Sequence, residues 1–337
     1  MDSLTHIVLG ATVGELVAGK KLGKKSWLAG AFLQTIPDFD FIAGLWCSPA
    51  EDLLAHRGFT HSFFFIALLA PLFSWGIIRT RWGSKGSLAC WLSLTVIELL
   101  THILLDGFNV YGTAWFEPFT HVRISFDTLF VADPFFTIPV LIGILWITFF
   151  SRTHEKRLKT VFLVLSFCFF YLSYAFNNKL IVESEVKRSL AQSDFKWNRI
   201  LITPTPFNSW LWYIVIERQH DFLTGYRSVF DTTTSIQYTS TLKQHQWLEG
   251  LAPREDIAHL VRFSNGFYAI QKWQDTLVLN DLRFGKMMGW EHPNNRYVFY
   301  YYVEQPDNNQ FLIQRGRVQG WSLYSIRKFV QRIFHAN

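Results

Sequence analysis

Hydrophobic residues are concentrated in the first half of the chain, and charged and polar residues return to ordinary density beyond about residue 177. The first half contains apolar stretches that are each roughly as long as the 17–25 residues a membrane-spanning helix needs. These stretches cover about residues 3–19, 27–46, 62–78, 88–105, 134–150 and 160–176. The pattern predicts a multi-pass α-helical membrane domain over residues 1–176.

The stretch 27–46 contains the sequence Pro37-Asp38-Phe39-Asp40. A proline lacks a backbone donor and disfavours helix in the residue before it. Non-helical backbone at membrane depth is tolerated only where it lines protein or a wet cavity. We therefore expect a broken or re-entrant helix here, although this stretch and 3–19 would also fit an amphipathic pair at the membrane surface.

Residues 177–337 have the pattern of a β-rich extramembrane domain. A hairpin is predicted where His259–Phe263 and Phe267–Gln271 flank Asn265-Gly266, because this dipeptide favours a type I′ turn. A helical linker is predicted over Lys179–Ser193. The other predicted strands are Trp210–Arg218, Thr276–Leu279 and Tyr297–Val303.

The net charge of +6 does not indicate nucleic-acid binding, because eleven of the 13 Lys and Arg residues in positions 1–176 lie in short clusters between apolar stretches. Such clusters mark the cytoplasmic side of a membrane protein. They are Lys20, Lys21, Lys24 and Lys25; Arg79, Arg81 and Lys85; and Arg152, Lys156, Arg157 and Lys159. If all six stretches span the bilayer, the loops 47–61 and 106–133 and the C-terminal domain lie outside the cytoplasm of a bacterial cell.

Histidine and aspartate residues within this apolar half are the candidate functional residues. Ionisable groups at membrane depth are costly and usually functional. His102 and Asp106 are four residues apart and share one helical face with Glu98. The alternative, a satisfied polar face between packed helices, would need no ion. Three ionisable residues on one stripe favour a metal or proton site.

Two further motifs carry candidate ligands. In His56-Arg57-Gly58-Phe59-Thr60-His61-Ser62 at least one histidine is expected to bind metal, and the other has a structural role in the alternative interpretation. In the Pro37-Asp38-Phe39-Asp40 motif, one aspartate can bind metal while the other orients a ligand histidine. The acids of this motif would otherwise only break a helix.

The remaining candidates stand alone or in looser patterns. His6 follows Asp2 by four residues at the start of the first stretch. His121 and Arg123 lie in the 106–133 loop, with Asp127 as a less specific candidate. Asp133 precedes Pro134, a combination that fits a helix N-cap as well as it fits a ligand.

The motifs Thr5-His6 with Gly10, Pro37-Asp38-Phe39-Asp40, His56 to Ser62, and His102 with Asp106 occur in this order. In this respect the chain resembles the YdjM-like family of membrane-bound, predicted metal-dependent hydrolases, over roughly residues 1–150. Thr203–Asn208 and Trp212 resemble a segment of the family's longer members. The resemblance implies an inner-membrane protein with a bound metal and says little about its substrate.

These residues lead to one functional hypothesis. A ligand set drawn from the candidate residues would bind one to three divalent ions, with Zn²⁺ as the expected metal. The set comprises His6, Asp38, His56, His61, His102, Asp106 and His121. Asp40 would serve as a general base, and Arg57 and Arg123 would hold a phosphate.

The expected reaction is hydrolysis of a phosphoester or lipid-linked substrate at the outer face of the inner membrane. The bilayer is then the one expected partner besides the substrate, and the sequence does not predict an oligomeric state. A non-catalytic scaffold and an ion-coupled transporter remain as alternatives, because both would also place ionisable residues in membrane segments.

Overall fold

The computed structural model describes residues 1–150, 153–193, 196–233, 235–249, 254–304 and 321–334. Arg152 of the third basic cluster lies outside these residues. The chain divides into two compact units. The first unit comprises Met1–Ala43, Ala55–Tyr174 and Pro206–Asn208, and the second comprises Gly44–Leu54, Ala175–Thr205 and Ser209–Asn337.

The described helices follow the apolar stretches closely. In chain order they are α1 (Ser3–Leu22), α2 (Lys25–Leu33), α3 (Pro49–Ala55), α4 (Phe63–Ile77), α5 (Leu88–Asp106), α6 (Pro134–Phe150), α7 (His154–Ala191), α8 (Glu255–Phe263) and α9 (Leu323–Phe334). Short 3-10 helices cover Pro37–Leu45, Phe59–His61 and His245–Leu248. The helix predicted over 27–46 is therefore interrupted, as Pro37 requires: α2 ends at Leu33 and a 3-10 segment carries the two aspartates.

Two described helices, α5 and α7, are long and apolar enough to cross a membrane. The segment Pro49–His61 and α4 would add a third crossing if they act as one span, although they are bent by 57° at their junction. Helix α6 is apolar but has only 17 residues. The chain is thus an apolar helical region followed by a β-sheet region, and the six crossings stay a prediction.

Helices α1 and α2 pack closely through glycines. A Cβ atom added to Gly14 would lie 3.3 Å from the Cα of Gly30. A Cβ added to Gly30 would lie 2.6 Å from Oε1 of Glu98 on α5. The small residues let the three backbones approach, and the apolar side chains Leu33 and Leu94 fill the adjoining core.

The second unit contains two antiparallel sheets. The first has the strand order β1 (Arg199–Pro204), β2 (Leu211–Glu217), β3 (Asp221–Ser228) and β4 (Tyr238–Leu242). Its apolar face packs against the C-terminal part of α7, where Val182, Val186 and Leu190 meet residues such as Trp212 and Ile214. The predicted linker 179–193 is thus the continuation of α7, because its apolar residues recur at helical spacing.

The second sheet has the order β5 (Tyr268–Trp273), β6 (Thr276–Lys286) and β7 (Tyr297–Tyr302). The hairpin predicted around Asn265-Gly266 is wrong on its first side, because His259–Phe263 belongs to helix α8. Both turn residues do have positive φ angles, 51° and 77°. They terminate a helix whose buried Leu260 packs on Ile270 and Leu279.

Candidate metal centre

Four of the predicted ligands lie together in the first unit. Asp38 comes from the 3-10 segment after α2, His61 from the 3-10 helix before α4, and His102 and Asp106 from the last turns of α5. One ligand atom from each lies within 4.8 Å of all the others. The side chains of His61, His102 and Asp106 are fully buried, whereas that of Asp38 is 20% exposed.

The spacing of these atoms fits a tetrahedral ion. Nε2 of His61 lies 3.1 Å from Nε2 of His102, 3.6 Å from Oδ1 of Asp38 and 3.4 Å from Oδ2 of Asp106. Nε2 of His102 lies 3.6 Å from Asp38 and 3.7 Å from Asp106. Ligands about 2.0–2.1 Å from a tetrahedral zinc ion are separated by about 3.4 Å, so the cluster has the size of such a site.

The other ring nitrogens show which tautomers these histidines adopt. Nδ1 of His102 lies 2.6 Å from the main-chain oxygen of Gln34, which can only accept a hydrogen bond. Nδ1 of His61 lies 3.0 Å from Oγ1 of Thr60, whose hydroxyl donates in turn to Asp40 at 3.4 Å. Both Nδ1 atoms therefore carry the proton, and both Nε2 atoms present lone pairs to the cluster.

The centre of the cluster thus consists of hydrogen-bond acceptors that face one another. Two imidazole lone pairs meet at 3.1 Å beside two carboxylates. Oδ2 of Asp106 is buried and has no hydrogen-bond partner among the described residues. Nε of Arg57 approaches it to 3.1 Å without hydrogen-bond alignment. A buried set of acceptors is costly unless a cation lies between them, so the residues fit a divalent metal ion.

Arg57 is itself buried beside the cluster. Its Nη1 donates to the side chain of Asn109, and its Nη2 donates to the main-chain oxygen of Met1 at 3.4 Å. The backbone of Arg57 has a φ of 58°, a strained value for a residue other than glycine. The tight turn of this motif is therefore made at Arg57, while the adjacent Gly58 has an ordinary φ of −88°.

Asp40 lies behind His61 and outside the four-residue cluster. Its carboxylate accepts from Nδ1 of His56 at 2.9 Å and from the backbone N–H of Arg57 at 2.8 Å. Asp40 thus occupies the position of an orienting carboxylate.

His6 flanks the cluster from α1. Its Nε2 lies 3.2 Å from Oδ1 of Asp106, the oxygen that also contacts the amino group of Met1. Its ring stacks on His102 with centroids 3.8 Å apart. His6 therefore contacts Oδ1 of Asp106, whereas His61 and His102 approach the other oxygen, Oδ2.

The remaining candidates lie elsewhere. His56 is 42% exposed and bonded to Asp40. His121 is 61% exposed and pairs with Glu117 at 3.1 Å. Nη2 of Arg123 donates to the main-chain oxygen of His56 at 2.5 Å. Asp133 accepts from the N–H of Phe135 at 2.9 Å and so acts as the N-cap of α6.

Gln34 was not among the predicted site residues, yet both of its oxygens contact site histidines. Its main-chain oxygen binds His102, and its Oε1 lies 3.2 Å from Nδ1 of His6. The signal available in the sequence was an amide side chain within the apolar stretch 27–46, three residues before Pro37. A search confined to histidine and acidic residues passes over it.

Comparison with known proteins gives consistent matches. Residues 1–181 match the family model of the YdjM inner membrane protein. The inner membrane protein YbcI of Escherichia coli (strain K12) is 34% identical over 122 residues, which are 36% of this chain and 69% of that protein. The uncharacterized protein YfhP of Bacillus subtilis (strain 168) is 26% identical over 263 residues, 73% of this chain and 75% of the relative.

No solved structure matches the chain significantly. The family match covers more than half of the chain and includes every residue of the His/Asp cluster. It also includes α5, one of the helices long enough to span a bilayer. This chain belongs to the YdjM family of inner membrane proteins.

Proposed function

We propose that the protein is a membrane-embedded, metal-dependent hydrolase that acts on a phosphoester or lipid-linked substrate at the outer face of the inner membrane. The observation that carries the proposal is the cluster of mutually facing acceptors. In it, Nε2 of His61 and Nε2 of His102 lie 3.1 Å apart beside the carboxylates of Asp38 and Asp106. Proteins place such groups together in a dry interior when they share a cation.

In this proposal Asp38, His61, His102 and Asp106 hold one divalent ion, with Zn²⁺ as the best fit to mixed nitrogen and oxygen ligands. A bound ion of this kind supplies Lewis acidity, which polarises a phosphoryl oxygen and lowers the pKa of water towards about 7. Asp38 is the only member of the set with an exposed side chain, so substrate and water would reach the site past it.

The surrounding residues orient the ligands. Asp40 and Thr60 hold the ring of His61, and Arg57 balances the charge of Asp106 from within the protein. Arg123 is tied to the main chain of His56 and would meet a phosphate only near that exposed edge. We therefore assign phosphate contact to Arg123 before Arg57, whose guanidinium is buried.

The substrate class follows from the location of the site. The cluster lies at the end of an apolar helix of 19 residues, in a family of inner membrane proteins. On the predicted topology the basic clusters lie at the opposite ends of the apolar stretches, and the site would then lie near the outer headgroups. A phosphoester in a lipid headgroup or a lipid-linked intermediate fits this depth.

Metal analysis of the purified protein tests the metal site. We expect about one equivalent of a divalent transition metal in the wild type after extraction without chelators. His61→Ala and His102→Ala should lose it, because each removes a ligand from a closed set. His220→Ala, at an exposed histidine between β2 and β3, is the matched control. A wild-type protein that takes up neither zinc nor manganese on addition would refute the proposal.

His121→Ala belongs in the same series, because the sequence predicted His121 as a ligand. Unchanged metal content in this variant would remove it from the ligand set. Incubation of the metal-loaded protein with panels of phospholipids, lipid-linked phosphates and soluble phosphoesters then tests hydrolysis. If the protein holds metal but releases product from no substrate, and His102→Ala also releases none, the site serves a non-catalytic role.

A further inference from the structure

Gln34 lies outside the sequence motifs from which the candidate ligands were drawn. Its main-chain oxygen and its side-chain oxygen each contact the Nδ1 atom of a histidine, His102 at 2.6 Å and His6 at 3.2 Å. Since carbonyl oxygens only accept, both histidines carry their proton on Nδ1 when these bonds form. Nε2 of His102 then faces the cluster, and Nε2 of His6 presents a lone pair 3.2 Å from Oδ1 of Asp106, so that His6 adds a further acceptor beside the cluster.

The orientation of the Gln34 amide decides which tautomer His6 adopts. If the amide were rotated by half a turn, its NH₂ group would donate to Nδ1 of His6, and Nε2–H of His6 would donate to Oδ1 of Asp106 at 3.2 Å. Amide orientation is set by the whole hydrogen-bond network, so the group at the other end of the amide decides between the two tautomers.

Glu98 provides that group. Both of its carboxyl oxygens are buried without a hydrogen-bond partner among the described residues, and so is Nε2 of Gln34. The two side chains flank the same crossing of α1 and α2, because a Cβ atom added to Gly10 would meet Gln34 and one added to Gly30 would meet both the backbone oxygen of Gly10 and Oε1 of Glu98. Glu98 lies one helical turn before His102, so α5 carries both a proposed ligand and the carboxyl group near the Gln34 amide.

The packing of the helices leaves room for this arrangement. A Cβ atom added to Gly10 would lie 2.8 Å from Cβ of Gln34, and one added to Gly30 would lie 2.6 Å from Oε1 of Glu98. Larger residues at either glycine would displace the amide or the carboxyl group. The close approach of α1, α2 and α5 is thus matched to the placement of Gln34 and Glu98.

We infer that Gln34 is a positioning residue of the metal centre, which fixes the tautomer and ring orientation of His6 and His102, and that Glu98 fixes the orientation of the Gln34 amide. The inference rests on the proposed metal site. It assigns Glu98, the third member of the predicted stripe on α5, a role outside the ligand set.

Cobalt titration of the full-length protein in detergent tests this inference, because the visible spectrum of Co²⁺ reports ligand geometry independently of turnover. Gln34→Met removes the side-chain oxygen and keeps the length of the side chain. We expect a roughly 10–100-fold loss of Co²⁺ affinity, typical of lost orienting partners, with an altered spectrum. Binding should persist, because the main-chain oxygen that holds His102 remains.

Glu98 gives a second and independent arm of the test. Glu98→Gln keeps an acceptor for the amide and should bind Co²⁺ like the wild type, whereas Glu98→Leu should resemble Gln34→Met. The double variant Gln34→Met with Glu98→Leu should be no weaker than Gln34→Met alone, because Glu98 acts through Gln34. Thr95→Val, a buried change on α5, is the control, because the Thr95 hydroxyl donates to the main-chain oxygen of Trp91 in the same helix.

The outcomes separate the two proposals. If the wild type binds no Co²⁺, the metal site and the role of Gln34 both fail. If the wild type binds Co²⁺ and Gln34→Met shows the same affinity and spectrum, only the role of Gln34 fails. Additive losses in the double variant would overturn the link from Glu98 to Gln34. If Gln34→Met does not fold, the contrast between Glu98→Gln and Glu98→Leu decides the matter.

Discussion

The hydrogen bond at Nδ1, the ring nitrogen that points away from the cluster, sets the tautomer of both His61 and His102. His61 and His102 both lose the freedom to present a proton to the cluster, because their Nδ1 atoms are bonded to oxygen. The consequence is a buried group of lone pairs and carboxylates, whose unfavourable proximity the proposed ion would relieve. The distinction between a ligand and an orienting residue therefore depends on which side of the ring a carboxylate occupies.

Asp38 and Asp40 provide a direct test of that distinction. Asp38→Asn replaces a proposed ligand and should abolish stoichiometric zinc binding. Asp40→Asn replaces an acceptor behind His61 and should lower zinc affinity by about 10–100-fold while leaving the ion bound at saturation. Competition with a chromophoric zinc chelator measures both.

Asp275→Asn, an exposed change in the turn between β5 and β6, serves as the control for this pair and should bind zinc like the wild type. Equal losses in Asp38→Asn and Asp40→Asn would contradict the assignment of separate roles. A larger loss in Asp40→Asn would exchange them.

At the level of elements, the sequence predicts which residues share a face of a helix, but it does not decide whether a short apolar run forms a helix or a strand. His102 and Asp106 were predicted to share a face because a spacing of four has that meaning in any helix, and α5 places them so. His259–Phe263 was predicted as a strand because a short apolar run before Asn265-Gly266 fits either structure. The run forms α8 because Ile257, Leu260 and Val261 recur at helical spacing.

The composition of the candidate site shows the same limit. Acidic residues and histidines were identified as candidates because they are rare in apolar stretches. Which four of them lie together depends on how separate elements pack, and sequence spacing does not predict that packing. Gln34 was missed because its contribution at His102 comes from a backbone oxygen. A main-chain contact leaves no trace in residue identity.

Gly30 links the packing of the helices to the site, and its replacement by alanine tests that link. The added methyl group would meet the backbone oxygen of Gly10 and Oε1 of Glu98. We expect Gly30→Ala to destabilise the protein by about 1–3 kcal/mol, as overpacked cores do, and to lower its metal content. Thermal unfolding in detergent and metal analysis provide the measurements.

Gly76→Ala is the matched control on α4, because nothing lies within 4 Å of a Cβ atom there. Alanine is the better helix former, so this variant should be unchanged or more stable by up to about 1 kcal/mol. If Gly30→Ala unfolded at the wild-type temperature with full metal content, close helix packing would not be required for the centre.

For the molecule as a whole, the two units have different relationships to known proteins. The family model ends at residue 181 and covers all of the first unit except Pro206–Asn208, including the entire four-residue cluster. The Bacillus subtilis relative aligns over 263 residues, so its similarity extends into the β-sheet region. The chemistry proposed here belongs to the first unit. The side of the membrane on which it would occur depends on the basic clusters.

Labelling of single cysteines tests on which side of the membrane the site lies. We propose Ser84→Cys beside the second basic cluster, Val122→Cys in the 106–133 loop and Gln219→Cys between β2 and β3, all at exposed positions. The native Cys47, Cys90 and Cys168 are replaced beforehand. A membrane-impermeant maleimide should label Val122→Cys and Gln219→Cys in intact spheroplasts, because loops rich in Lys and Arg stay in the cytoplasm.

Ser84→Cys should react only after lysis, and its substitution leaves every charge of the cluster in place. The reverse pattern would put the cluster at the cytoplasmic face and exclude substrates of the outer leaflet, while metal binding would be unaffected. Labelling of Val122→Cys without Gln219→Cys would require an odd number of crossings between these positions. In that case α6, with its 17 residues, would not span the bilayer, and α7 alone would separate the metal centre from the β-sheet region.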